Sequence, residues 1–281
     1  MEMHPFGPTG REVPVIGQGT WNIEQEDRDT VIAAVRRGID LGMTHIDTAE
    51  MYGMGRAEQL VGEAIAGRRD EVFLVSKVIP DHASREGTLE ACRASLDRLG
   101  TDRLDCYLLH WRGSYPLEET FAAFEQLRDE GSILSWGVSN FDVPDLGEGL
   151  RAAGPRRMVC DQVLYHLKER AIEHAVLPWC EKNDMAVVAY SPFGHGRFPK
   201  PGTPGWRVLK EIADGHHATP RQVALRFLVR RPSLFAIPKA SNPKHAEENA
   251  KAGDLRLSTH ELAKIGEAFP PGPPPRELPM L

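Results

Sequence analysis

Residues 72–110 read VFLVSKVIPDHASREGTLEACRASLDRLGTDRLDCYLLH, and this stretch decides the fold. A β-rich apolar run, VFLVSKV (72–78), precedes a helical pattern, TLEACRASLDRLG (88–100). That pattern opens on a hydroxyl residue and closes on glycine, as helix start and stop signals should. A second β-rich run, LDCYLLH (104–110), completes a strand–helix–strand unit. Strands alternating with helices imply a parallel sheet.

Outward from this unit the same alternation continues. Further strands are expected at IGQGT (16–20), THIDT (44–48), ILSWGVS (133–139), MVCDQV (158–163), MAVVAYS (185–191) and LFAIPK (234–239). Between them lie helical stretches such as DRDTVIAAVRRGIDLG and LEETFAAFEQLRDEG. In the first, Val31, Ile32, Val35, Ile39 and Leu41 approximate one face at helical period. Eight such units imply an α/β protein closed into a (β/α)8 TIM barrel, one domain over residues 1–281. Met3–Val15 carries Gly-Pro-Thr-Gly between short β-like pieces, so an N-terminal β-hairpin is expected to close the bottom of the barrel. The carboxyl end, PPGPPPRELPML, cannot be helical and should run extended, either as a frayed tail or as a short lid beside the mouth. Phe193–Gly205 is the longest apparent loop and follows strand 7.

Composition narrows the function classes. With 41% hydrophobic and 26% charged residues the chain has material for a real core. A net charge of −6 and no dense Lys/Arg patch argue against nucleic acid or an anionic membrane as partner. The amino terminus lacks a signal peptide's apolar core, and no run approaches the roughly 18–20 apolar residues of a membrane span. Cys92, Cys106, Cys160 and Cys180 show no CxxC pairing and are expected to be buried free thiols, which fits a reducing cytoplasm.

Asp47, Tyr52, Lys77 and His110 stand at or just past three strand ends, on the barrel face where such folds do their chemistry. Carbonyl reduction needs a hydride donor at carbon and a proton donor at oxygen. No side chain gives hydride, so a nicotinamide cofactor is implied. Tyrosine, with a free pKa of about 10, is protonated near neutrality and becomes a competent acid beside a cation. Lys77 would be that cation, Asp47 would hold it charged, and His110 would hydrogen-bond the carbonyl oxygen. Each residue alone has a plainer reading, namely an N-cap, a loop aromatic or a satisfied core histidine. Lys77 inside an apolar strand is the hardest to explain that way.

The chain resembles the aldo-keto reductases, most closely the bacterial members of the methylglyoxal and diketogluconate reductase type. The matching stretches are GQGTW (17–21), HIDTAEMYGMGRAEQLVGEAI (45–65), VSK (75–77), RLDCYLLHW (103–111), WGVSNF (136–141), DQVLYH (161–166), AYSPFG (189–194) and IPKASNPKHAEEN (237–249). The resemblance places the family's catalytic tetrad on Asp47, Tyr52, Lys77 and His110. It implies that Ser139, Asn140 and Gln162 hold the nicotinamide carboxamide while Tyr190 stacks on the ring. Ser191, Phe193, Lys239, Ala240, Ser241, His245, Glu248 and Asn249 match the pyrophosphate and adenosine end. Trp21 and Trp111 match walls of the substrate pocket, with Tyr52 and His110. The implied cofactor is NADP(H), with NAD(H) also accepted. The implied partner is a small carbonyl compound, and a monomer is expected.

Three departures from the family pattern stand out. His245 replaces an arginine that meets the cofactor's 2′-phosphate, and histidine cannot fork onto phosphate. Asp161 stands where asparagine is usual. The loop after strand 4 (RGSYP) and the carboxyl terminus are short, which implies an open pocket. Two other readings remain: a cofactor-sensing module without turnover, and a metal-dependent hydrolase built on His45, Asp47 and His110. Lys77 would repel a metal from the latter, so no metal is expected.

Overall fold

The computed structural model describes residues 1–281. A hairpin of β1 (Met3–Pro5) and β2 (Glu12–Pro14) pairs antiparallel. Eight strands then follow in parallel: β3 (Gln18–Gly19), β4 (His45–Asp47), β5 (Phe73–Val78), β6 (Cys106–Leu109), β7 (Trp136–Ser139), β8 (Met158–Leu164), β9 (Ala186–Tyr190) and β10 (Leu234–Ala236). Parallel bridges from Ile16 to Ala236 and from Gly19 to Lys239 join the last strand to the first and close the barrel. All eight expected strands are present. Several are shorter than their apolar runs, and β3 keeps only two residues in ladder pairing.

Ten helices α1 (Arg28–Asp40), α2 (Arg56–Ile65), α3 (Arg85–Leu99), α4 (Leu117–Asp129), α5 (Val143–Ala153), α6 (Val176–Lys182), α7 (Pro204–Gly215), α8 (Pro220–Leu228), α9 (Pro243–Lys251) and α10 (Thr259–Ala268) surround it. In α1, Asp27 caps the Thr30 amide at 2.9 Å, and Val31, Ala34, Val35, Gly38 and Ile39 form the buried stripe. Ile32 and Leu41, expected on that stripe, are only half-buried at its edges. Helix α3 begins one turn before Thr88. Ser84 accepts the Gly87 amide there, so it rather than Thr88 caps the helix. Gly100 ends it in the left-handed conformation, at φ 61°.

A larger core lies between strands and helices, and a second fills the barrel lumen. Because successive strand residues point to opposite faces, each lumen-facing column alternates with an outward one. Phe73 and Val75 lie under Lys77, Cys106 and Leu108 under His110, Cys160 under Gln162, and Val188 under Tyr190. The strands thus stack a dry apolar filling below and lift polar groups to their carboxyl ends. Phe6, carried between β1 and β2, plugs the other end, its ring 4.8 Å from Phe73 and 5.1 Å from Phe235. The expected hairpin closure is therefore present. Gly38 shows how tightly the barrel is wrapped: a Cβ there would lie 2.2 Å from the Gln18 amide oxygen.

Candidate active site

A cavity of about 490 Å³ opens at the carboxyl ends of the strands. Its floor is an ordered polar chain. Lys77 is fully buried, and its ammonium donates to Asp47 Oδ1 at 2.6 Å, the Thr48 carbonyl at 2.8 Å and the Tyr52 hydroxyl at 3.2 Å. Gln162 Nε2 donates to the other Asp47 oxygen at 2.7 Å. Tyr52 reaches this point because it opens a tight turn in which Gly53 and Met54 both take left-handed φ. The His110 ring meets Tyr52 edge-on at 5.8 Å, and its Nδ1 has no partner.

Burial governs the charge states. It raises the Tyr52 hydroxyl above its ordinary pKa, and the nearby Lys77 cation pulls back only in part. Burial would strip the proton from Lys77, but Asp47 and Tyr52 together outweigh it and hold the amine charged. Burial, then the field of Lys77, pushes His110 well below its ordinary value, so it is neutral. The floor thus presents a protonated phenol against a fixed cation, with a neutral imidazole beside it. That arrangement can deliver a proton to an oxygen and stabilise the charge left behind.

Beside the floor runs a second polar group. Ser139 Oγ donates to the Gln162 carbonyl at 2.7 Å, and Asn140 Nδ2 donates to the His110 carbonyl at 3.1 Å. The Tyr190 hydroxyl donates to Asn140 Oδ1 at 2.9 Å, and burial raises that hydroxyl to about 12. Asn22, Asn140, Ser191 and His195 line the cavity in left-handed conformations, so half of the chain's eight left-handed non-glycine residues sit here. Such strain concentrates at functional sites.

The expected residues divide into two groups. Trp21, Trp111, Ser191, Phe193 and Lys239 line the cavity with those already named, except Lys77, which is buried beneath it. Ala240, Ser241, His245, Glu248 and Asn249 do not; they lie further out on the β10–α9 connection and on α9 itself. There Glu26 accepts from Ser241 at 3.2 Å and approaches Lys239 at 3.5 Å, while Asn242 caps the His245 amide at 2.9 Å. Sequence reading missed Thr48, Glu26 and His195. The His195 ring stacks on Trp21 at 5.1 Å, a pairing between distant loops that no local pattern signals. It also left the tail undecided: Met280 and Leu281 line the cavity mouth. His45 sits among Phe6, Phe73 and Phe235, so it does not join Asp47 and His110 in a ligand set.

Residues 15–269 match the profile of the Aldo/keto reductase family. The chain belongs to this family. It is 46% identical over 260 residues to the methylglyoxal reductase YeaE of Escherichia coli, covering 92% of each chain. It is 34% identical over 259 residues to a glyoxal reductase of Bacillus subtilis, covering 91% of this chain and 89% of that one. An aldo/keto reductase from Klebsiella pneumoniae, solved with NADP and acetate, superposes with a TM-score of 0.94 at 43% identity over the full length of both. In this aldo/keto reductase Asp161 turns to the outer face of β8, opposite Gln162. Its Oδ1 is 3.4 Å from the Phe141 amide, its Oδ2 has no partner, and burial raises its pKa well above the carboxylate range. It pairs with no cation and sits buried behind the strand.

Proposed function

We propose that this chain reduces a small aldehyde or ketone to the alcohol, with Tyr52 as general acid. The observation that carries the reading is the Lys77 ammonium, whose three N–H bonds all go to Asp47, Thr48 and Tyr52. A cation so fixed cannot rotate away while charge grows on the phenol. The Tyr52 proton passes to the carbonyl oxygen, and Lys77 stabilises the phenolate that remains. Asp47 keeps Lys77 charged and in place. His110, neutral, donates to the same oxygen and sets the carbonyl's direction.

The residues present fit a nicotinamide cofactor. Ser139, Asn140 and Gln162 offer both donors and acceptors, the complement of a carboxamide, and Tyr190 supplies a flat aromatic face beside them. Lys239 supplies a cation suited to phosphate along the cavity wall. Ser191 and Phe193 would flank the pyrophosphate, and Ala240, Ser241, His245, Glu248 and Asn249 the adenosine end. NAD(P)H supplies, when bound, the hydride that no side chain can give. Trp21 and Trp111 would shape the substrate pocket.

The relatives are named for methylglyoxal and glyoxal reduction, which favours turnover over a sensing role and makes small dicarbonyls the first substrates to offer. Four buried free cysteines support a reducing cytoplasm, and no helix is long and apolar enough to cross a membrane. The test follows nicotinamide absorbance with NADPH and methylglyoxal for the wild type and Tyr52→Phe. General acids contribute about 10²–10⁴-fold, so the variant should lose nearly all kcat while still binding NADPH. A variant retaining more than about a tenth of wild-type kcat would remove Tyr52 from the acid role, given that range.

A further inference from the structure

The end of the barrel opposite the catalytic cleft carries a second cavity, of about 300 Å³. It lies between the turn after β1 and the amino-terminal ends of β5 to β8. Arg11, Arg128, Arg156 and Arg157 line it, contributed by three separate segments of the chain. Asp105 is its only carboxylate, and that charge is already spent. Asp105 Oδ1 accepts from Arg11 at 2.7 Å, while Oδ2 accepts from Arg69 at 2.8 Å and from the Leu74 amide at 2.9 Å.

The remaining three guanidiniums share two carboxylates. Glu125 meets Arg128 at 2.6 Å and Arg157 at only 3.4 Å, and it also accepts from the Trp136 indole at 2.8 Å. Asp184 meets Arg156 at 2.7 Å. Five arginines therefore face three carboxylates, a local positive excess on a chain of net charge −6. Each guanidinium carries five N–H donors, and Arg11, Arg128, Arg156 and Arg157 use few of theirs in these contacts. Arg157, 45% exposed and held only by the long contact, has the most to give.

We propose that this cavity binds a small polyanion, with two or more phosphate or carboxylate groups, through Arg11, Arg128, Arg156 and Arg157. Guanidinium forks suit both chemistries, and weak hydration lets arginine give up water to a ligand. The volume sits at the bottom of the range for ligand sites, which admits pyrophosphate or a tricarboxylate and excludes a dinucleotide. The site is thus distinct in size from the catalytic cleft, and nothing in the proposed reduction uses it.

Isothermal titration of the whole protein with pyrophosphate, and separately with citrate, tests the assignment. NADP⁺ is held at saturation so that anions cannot enter the catalytic cleft. One saturable site is expected for at least one probe, and the stronger probe tells phosphate from carboxylate recognition. Arg156→Gln with Arg157→Gln should weaken it by about tenfold or more, since hydrogen bonds to charged groups are lost. Glu125→Gln removes a competing carboxylate and should tighten it, a gain that a misfolded variant cannot mimic. No saturable binding of either probe, or affinity unchanged in both variants, overturns the proposal.

Discussion

The two ends of the barrel lumen bury a histidine each, and the same cation acts on both. At the carboxyl end His110 lies beside Tyr52 and faces the cleft. At the amino end His45 is fully buried among Phe6, Phe73 and Phe235, with neither ring nitrogen hydrogen-bonded. Burial first, and Lys77 second, lowers both, His45 to about 3 and His110 well below its ordinary value. Neutrality is therefore a by-product of burial near Lys77 and does not by itself mark a catalytic residue. What separates the two is access: one imidazole has a cavity in front of it, the other a wall of rings.

Removing the shared cation should break the comparison most severely. Lys77→Met leaves Asp47 buried with Gln162 as its only side-chain partner, and breaking a buried pair costs about 3–5 kcal/mol. Turnover should fall by about 10³-fold or more as Tyr52 loses both its tuning charge and its position. Adding Asp47→Asn removes the stranded carboxylate, so the double variant should regain much of the stability and none of the activity. Denaturant titration and steady-state rates on the same samples check this. Activity returning with stability would make Lys77 structural only.

The amino-terminal histidine can be tested through acid stability. His45 has a folded pKa of about 3, below the 6.5 of an unconstrained imidazole, so below pH 6.5 only the unfolded chain takes up the proton. Its contribution is complete above pH 6.5 and is lost as pH falls from there toward 3. His166, lowered to about 4 by burial and then by Arg197 and Lys168, adds the same sign down to 4. Each contributes a slope of about 1.4 kcal/mol per pH unit within its window. His45→Phe should remove one such slope between pH 6 and 4 while leaving kcat near wild type. An unchanged slope would show that His45 is solvated or charged in the native state.

The expected strands, the hairpin plug and the polar floor were legible because they rest on local rules. Apolar runs made the strands, and period two placed Lys77 above Val75 and His110 above Leu108. Less legible were features made by long-range packing. Trp21 meets His195 across the chain, and Glu26 reaches Ser241 over 215 positions. Asp161 was readable as a departure, but its face was not used: alternation along β8 sends it outward once Gln162 points in. The start of α3 failed differently, since Ser84 and Thr88 both carry cap-competent hydroxyls and only geometry decides between them.

The rim near α9 gives a smaller effect than the floor. His245 stands on the first turn of α9, and Glu26 already engages Ser241 and Lys239 nearby. An imidazole that cannot fork onto phosphate as arginine does and a competing carboxylate both disfavour an extra phosphate, so NADPH should exceed NADH in kcat/KM by less than about a hundredfold. His245→Arg should raise that ratio by about tenfold, the worth of one charge-assisted bond. A wild-type ratio already above a hundred would remove the argument.

The tail should give the smallest effect, and it tests whether the rim varies independently of the floor. After α10 the chain runs without regular structure, pinned where Arg170 Nη1 donates to the Phe269 carbonyl and where His174 Nε2 meets the Gly272 carbonyl at 3.0 Å. From there it reaches the cavity, where Met280 and Leu281 form part of the wall although each is about half exposed. Neither is hydrogen-bonded to Tyr52 or Lys77, so deleting both should leave kcat within about twofold. A lost apolar contact is worth about 1–3 kcal/mol at most, and these are only half-buried. KM for a carbonyl bearing an apolar group should therefore rise about three- to tenfold, and KM for methylglyoxal, too small to reach the tail, should hold. A fall in kcat for both substrates would instead mean that the tail props the floor, and the rim and floor would then have to be treated as one unit.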